Sequence, residues 1–294
     1  MPADTADCPV RLPLLKRQQF LLAFIQKLGS GVYQTDLQKL IFLYSDNLKV
    51  DYYSFFPYSY GPYSIILAND IKVLIQDNFL TKNYLIAPTR YFSVPISIDV
   101  SHIDRLRSDS LMEKVYTLYP FYAINSKILH NFNESIQLNV NNCKDNIAKN
   151  IYKFFSIGYE GKSIEQFLRI LLLNNIELLC DVRYNPISRK YGFSKTTLKH
   201  YTEKIGIHYI HFPELGIKTS LRQSLNTKED YDNLFSMYRQ SLPSKSLVLD
   251  KLYKYIDQYS CISFMCFEKD PLYCHRSVLL NYMGEKYHIE SEDL

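Results

Sequence analysis

The feature that most restricts the fold of this 294-residue chain is the alternation of strand and helix patterns over its second half. Apolar runs at Phe154 to Ile157, Glu177 to Val182, His208 to Phe212 and Cys261 to Cys266 are separated by segments of helical periodicity. A short continuous apolar run is the mark of a strand covered on both faces. Helical patterns fall at 163–173, 194–205, 228–240, 246–258 and 274–283, and Ser163 with Gln166 forms a capping box for the first. Such alternation specifies an α/β domain, a mainly parallel sheet with helices on both faces.

Ligands of parallel sheets bind outside the carboxyl ends of the strands, so the residues just past each strand are the candidate site. Tyr159 and Glu160 follow the first strand. Asp181 and Arg183 end the second, with Tyr184, Pro186 and Ser188 beyond. Pro213 and Glu214 follow the third, and Glu268 and Lys269 the fourth. Cys274, His275 and Arg276 then open a helix. Asp181, Glu268, Glu160 and Glu214 are candidate catalytic carboxylates. Tyr159, Arg183, Tyr184, Ser188, Cys274, His275 and Arg276 are candidate ligand contacts.

Each choice has a plainer alternative. Asp181 and Arg183 can form a structural ion pair, Glu160 can be a solvated loop residue, and Glu214 can close a turn. Arg276 is misplaced for the helix dipole; beside free helical N–H groups it makes an anion site. A thiol at Cys274 is lowered by the same surroundings, yet the spacing from Cys266 to Arg276 does not suit a phosphate-cradling loop. A buried, inert thiol is the expectation there. Cys266, Cys274 and His275 have no recognised zinc-ligand spacing, and neither a Walker A loop nor GxGxxG occurs. No metal and no cofactor are expected.

The first half has a different grammar. Lys16 to Leu28 is periodic and stops at Gly29-Ser30-Gly31. Thr35 with Gln38 reads as a capping box, opening a helix with Leu37, Leu40, Ile41 and Tyr44 on one face. Gly61-Pro62 breaks the chain, and Ser64 can cap a helix carrying Leu67, Ile71, Leu74 and Ile75. Residues 79–92 alternate around Lys82-Asn83, a turn between two strands. Three helices and a two-stranded wing are the order of a winged helix-turn-helix-like domain, which contacts DNA or docks a protein. Its basic residues are few: Lys16, Arg17, Lys27, Lys39, Lys49, Lys72, Lys82 and Arg90. The Asn-rich stretch 131–149 is the candidate linker, between domains at 1–130 and 150–294.

Charge and composition decide less. A net charge of +4 with a pI near 8.5 permits nucleic-acid binding without arguing for it. The 26 Tyr and 17 Phe against no Trp suit base stacking and equally follow from an AT-rich genome. Six cysteines without a CxxC pair, in a chain with no signal peptide, indicate a reduced cytoplasmic protein. Apolar runs such as Phe20 to Ile25 fall far short of the ~20 residues that span a bilayer, so no membrane is expected.

Two resemblances follow from the motifs. "LQKLIFLYS", "FFPYSYGPYS" and "LIQDNFL" resemble the winged-helix-like domains of SocA-like, Panacea-type antitoxins, over about Lys16 to Leu80. The second half resembles the family called domain of unknown function 488. The motifs that carry it are Gly158, Asp181 to Arg183, Pro186 with Ser188, Phe193, His211 to Gly216, Cys266 with Glu268, and Cys274 to Arg276. Members often sit among phage-defence and DNA-modification genes, which implies work on nucleic acid. The expectation is an enzyme acting on a base or nucleotide in nucleic acid, DNA more than RNA, by cleaving an N-glycosidic bond. Carboxylates can stabilise the positive charge that this builds on the sugar. Asp181 or Glu268 is the expected key carboxylate. The alternative is a non-catalytic sensor that recognises a modified base or small anion, with a protein partner on the first half.

Overall fold

The computed structural model describes residues 15–81, 85–148, 153–222 and 225–294. Helix α1 (Lys16–Leu28) ends where Gly29 takes φ 68°, a left-handed turn that glycine adopts without steric cost. Strand β1 (Val32–Tyr33) leads into α2 (Gln34–Leu48), the hairpin β2 (Phe56–Tyr58) and β3 (Gly61–Tyr63), and α3 (Ile65–Gln76). Strand β4 (Leu85–Ile86), α4 (Ser108–Leu118) and α5 (Glu134–Ala148) follow. Phe24, Leu40, Ile41, Leu67, Ile71, Val115 and Val140 share one core.

Ser64 caps α3 as expected, accepting from Leu67 N at 3.2 Å. The box at Thr35 and Gln38 does not form: α2 opens at Gln34, with Tyr33 at its N-cap and no side-chain cap. Gln38 is drawn inward instead. Its amide donates to Ser64 O at 3.0 Å and accepts from Ser64 N at 2.8 Å, satisfying backbone groups that burial would otherwise leave unpaired. The antiparallel contacts near residue 85 also differ from a simple wing. Val32 pairs with Ile86, and Leu80 bridges to Pro88; the turn at Lys82-Asn83 lies outside the described residues. The Asn-rich stretch read as a linker holds α5, with Ile136 and Val140 buried in the first core. Apolar residues four apart made that face, and the asparagines took the other.

The second half is a five-stranded parallel sheet. Its elements are β5 (Lys153–Gly158), α6 (Ile164–Leu173), β6 (Leu178–Asp181), α7 (Lys195–Lys204) and β7 (His208–His211). Then come α8 (Lys228–Ser241), α9 (Ser246–Tyr253), β8 (Cys261–Cys266), α10 (His275–Tyr287) and β9 (Ser291–Asp293). The order across the sheet is β7-β6-β8-β5-β9. Period-two alternation divides the side chains between two faces. Phe155, Ile157, Leu179 and Met265 pack under α6 and α7. Phe154, Leu178, Cys180, Ile262 and Phe264 pack under α8, α9 and α10. The edge strand β9, of sequence Ser-Glu-Asp, was not expected, since it carries no apolar residue to announce it.

The halves meet on α6. Phe56 and Ile65 join the core beneath it, and buried Glu165 accepts from Ile66 N at 2.9 Å and from Ser64 Oγ at 3.3 Å. That carboxylate sits at the N-terminus of α3, where an anion is favoured, while burial pushes its pKa up. No helix among the described residues is long and apolar enough to cross a membrane.

Lys39 is buried in α2, donating to Thr35 O at 3.1 Å. Burial pushes its pKa down from 10.5 to about 8. Between those values the unfolded chain binds more protons than the folded one, so this group's penalty is full below pH 8 and disappears as pH approaches 10.5. Lys39→Met should therefore stabilise the protein at pH 7 by on the order of 2 kcal/mol, an advantage that shrinks by pH 10. Thermal melts across that range check it, and a pH-independent difference would refute it.

Candidate functional site

The strand order sets the ends of β6, β8 and β5 side by side, with Asp181 opposite Met265 and Gly158 opposite Cys266. The loops beyond them nest because two positions lack a side chain. A Cβ at Gly158 would lie 1.8 Å from Glu268 O, and one at Gly216 would lie 2.1 Å from Tyr184 N.

Asp181 is fully buried and its carboxylate is fully engaged. Arg183 donates from Nε to Oδ1 at 2.8 Å and from Nη2 to Oδ2 at 2.6 Å. Arg183 N also donates to Oδ1, and Tyr209 OH to Oδ2. The other arm of Arg183 donates to Tyr159 OH at 3.1 Å and Phe193 O at 2.9 Å. Burial opposes the charge on Arg183, but the hydrogen bonds and charge of Asp181 hold its pKa above the usual value. The rings of Tyr159 and Phe193 stack at 4.3 Å, and Phe267 meets Tyr159 edge-on. The plain reading of the pair as structural thus describes its geometry, and Asp181 acts on the site through Arg183.

Arg276 is not among the residues that line the crevice at this edge. It is wholly buried, and its guanidinium is consumed by Ser156 Oγ at 3.1 Å, Lys269 O and Asp293 Oδ1 at 3.0 and 3.1 Å, and Glu268 O. The dipole argument for an anion beside it fails because backbone carbonyls and Asp293 supply the negative partners. Arg276 instead ties β5, β9 and the loop after β8 together.

One step along α10 the chemistry changes. The Sγ atoms of Cys266 and Cys274 and a ring nitrogen of His275 all lie within 4.8 Å of one another, all three residues being buried. His275 Nε2 donates to Val182 O at 3.0 Å, which leaves Nδ1 as the lone-pair nitrogen. Nδ1 faces Cys266 Sγ at 3.8 Å and accepts from Arg222 Nη2 at 3.1 Å. Arg222 Nη1 donates to Glu268 Oε1 at 2.8 Å, and Glu268 Oε2 accepts from Cys266 Sγ at 3.1 Å. Burial and the neighbouring Cys266 push the Cys274 thiol well above its ordinary range.

Above this cluster opens a crevice of about 540 Å³. Arg183, Arg189, Lys190 and Arg222 line it together with Tyr159, Tyr184, Phe267 and Ser188, and its floor is Cys266 and His275. No carboxylate is among the described lining residues. Of the expected site residues, Tyr159, Arg183, Tyr184, Ser188 and His275 meet there. Glu268 lies against the floor through Cys266 and Arg222. Glu160 is exposed and accepts from Lys269 N at 2.9 Å. Glu214 is exposed and lines a neighbouring cavity of about 420 Å³. Arg222, Arg189, Lys190 and Phe267 were missed. Phe267 directly follows β8 and was within reach of the same rule; Arg189 and Lys190 lie further along the loop after β6, and Arg222, in a short 3₁₀ turn far past β7, carried no signal.

Residues 163–283 match the model of a family described as Domain of unknown function DUF488. No curated protein and no solved structure matches the chain.

Removing one partner of a buried ion pair leaves an uncompensated charge. Asp181→Asn should destabilise the fold by about 3 kcal/mol, measured by urea unfolding. Adding Arg183→Met to it should recover part of that loss. A silent Asp181→Asn would mean that the pair does not hold this edge together.

Proposed function

We propose that the crevice binds a phosphate-bearing nucleotide or nucleic-acid strand and that the protein acts on it hydrolytically. The observation that carries this reading is the lining: four cations and three aromatic rings, with no carboxylate among the described lining residues, at the carboxyl edge of a parallel sheet. Guanidinium groups suit phosphate, and Tyr184, about half exposed at 44%, offers a ring on which a base can stack. The Nε of Arg222 is buried without a hydrogen-bond partner, a donor that an anionic ligand would satisfy.

Among the four candidate carboxylates, Glu268 has the best claim to chemistry. Asp181 is saturated by Arg183 and Tyr209, whereas Glu160 and Glu214 lie outside the crevice. Glu268 keeps about a fifth of its side chain exposed and is oriented by Arg222. It can accept a proton from an attacking water or stabilise positive charge on a sugar during N-glycosidic cleavage. DNA is the preferred polymer in this proposal, and the first half serves as a winged-helix-like module that recruits it or a protein partner.

The test pairs binding with turnover. A labelled single-stranded oligonucleotide should bind with an affinity that falls steeply as salt rises. Arg222→Ala should weaken binding about 10- to 100-fold through a lost charge-assisted contact. Glu268→Gln should retain binding but lose ~10²-fold or more of the release of base or nucleoside products from unmodified or modified DNA, followed by mass spectrometry. Tight binding with no product from wild type would establish the sensor instead, and no salt-dependent binding would remove the nucleic-acid reading.

A further inference from the structure

We propose that Cys266, Cys274 and His275 form a zinc site whose open coordination position faces the crevice. The three donors come from two elements that the fold forces together. Cys266 is the last residue of β8, and Cys274 and His275 begin α10. Their donor atoms lie within 4.8 Å of one another, a separation that a small inward movement of the side chains converts into coordination of one ion.

The histidine is prepared for this. A metal-bound imidazole commonly donates its other N–H to a carbonyl, which fixes the tautomer and aims the lone pair. His275 Nε2 donates to Val182 O at 3.0 Å, and Nδ1 is turned towards Cys266. Two thiolates with an imidazole are borderline-soft donors, which suit Zn²⁺ and not Mg²⁺ or Ca²⁺. All three residues are buried, so the donors are shielded from competing water. Arg222, which donates to Nδ1 at 3.1 Å, gives up that contact when the metal enters and keeps its bond to Glu268.

Three protein ligands leave the fourth position open, the arrangement of catalytic and not structural zinc. Cys266 and His275 line the crevice floor, so that position faces the proposed ligand. A metal held by the three residues would supply an acidified water, and Glu268, whose Oε2 is 3.1 Å from Cys266 Sγ, would be placed to take a proton from it. Two cysteines, a histidine and a non-ligating glutamate form a donor set that zinc hydrolases of nucleobases use to activate water. The catalytic use of the metal rests on the function proposed above; metal binding does not.

The experiment uses the full-length reduced protein, stripped of metal and titrated with Zn²⁺ and, separately, Co²⁺ against a competing chelator. The expected result is about one ion per chain, with a thiolate-to-cobalt charge-transfer band. Outer-shell changes alone cost about 10- to 100-fold in affinity, so Cys266→Ser, Cys274→Ser and His275→Gln should each lose ~100-fold or more. Cys143→Ser should bind as wild type. Because a serine variant can fail to fold, alkylation of the wild type is measured as well, in mild denaturant that opens the buried thiols: Zn²⁺ should slow modification of Cys266 and Cys274 but not of Cys143, read by peptide mass spectrometry. No bound ion in the wild type, undiminished binding in the folded variants, or no protection from alkylation would each overturn the site. None of these readouts uses a nucleotide, so failure of the metal site and failure of the nucleotide reading are told apart.

Discussion

The carboxyl edge of the sheet depends on the buried ion pair of Asp181 and Arg183. A guanidinium held at two points by a carboxylate is planar and directional, and here it becomes a bracket. Its free arm takes Tyr159 OH and Phe193 O, joining the loop after β5 to the start of the segment that leads into α7. Tyr209, on β7, reaches the same carboxylate. Strands β6 and β7 and the loop after β5, which β8 separates from β6, are thereby fixed to one charged centre, and the crevice is the space above it. Burying such a pair is costly, and replacing it with apolar groups is often neutral. Its contribution lies in where it puts Tyr159 and Arg183 more than in net stability. Arg276 is the counterpart on the other side of β8, tying β5 and β9 through Ser156 and Asp293.

The sequence was legible wherever apolar periodicity set the structure. The ends of β8 match its apolar run residue for residue, and the capping box at Ser163 and Gln166 forms as its spacing dictates. The same motif failed at Thr35 and Gln38, where a tertiary demand for Gln38 at Ser64 outcompeted a local one. The gathering of Tyr159, Arg183, Tyr184, Ser188 and His275 at one sheet edge was legible because strand polarity is a global rule. What was not legible is how each polar group is satisfied. Arg276 and Arg183 look alike in sequence, and both are spent on internal partners, but only Arg183 lies at the wall of the crevice. Cys266 and Cys274 are separated by a loop of no recognised spacing, and only the turn from β8 into α10 brings them together.

The first half carries fewer free cations than its sequence suggested. Arg17 is paired with Asp70 at 2.6 Å, Lys39 is buried, and Arg90 lies over the ring of Phe92. Helix α2 is buried from Asp36 to Tyr44, so this segment has no free face to lay in a groove. A large share of its polar groups is spent on internal ties, including the Glu165 contact that fixes α3 to α6.

The two charge systems at the carboxyl edge of the sheet are arranged by depth, and depth separates their tasks. Arg189 is exposed in the loop after β6, where water screens it, and Lys190 beside it is half-buried against Tyr159 O. Cys266, Cys274 and His275 lie beneath, buried, where the dielectric is low and each charge acts strongly on its neighbours. Arg222 joins the two levels: it lines the crevice, yet its guanidinium contacts Glu268 and His275 below. An anion arriving at Arg222 competes with Glu268 for that guanidinium. Because Arg222 contacts both Glu268 and His275 Nδ1, a ligand that drew it away would free both groups together. Within the proposed function, ligand binding in the crevice and the state of the buried cluster would be coupled through that one side chain.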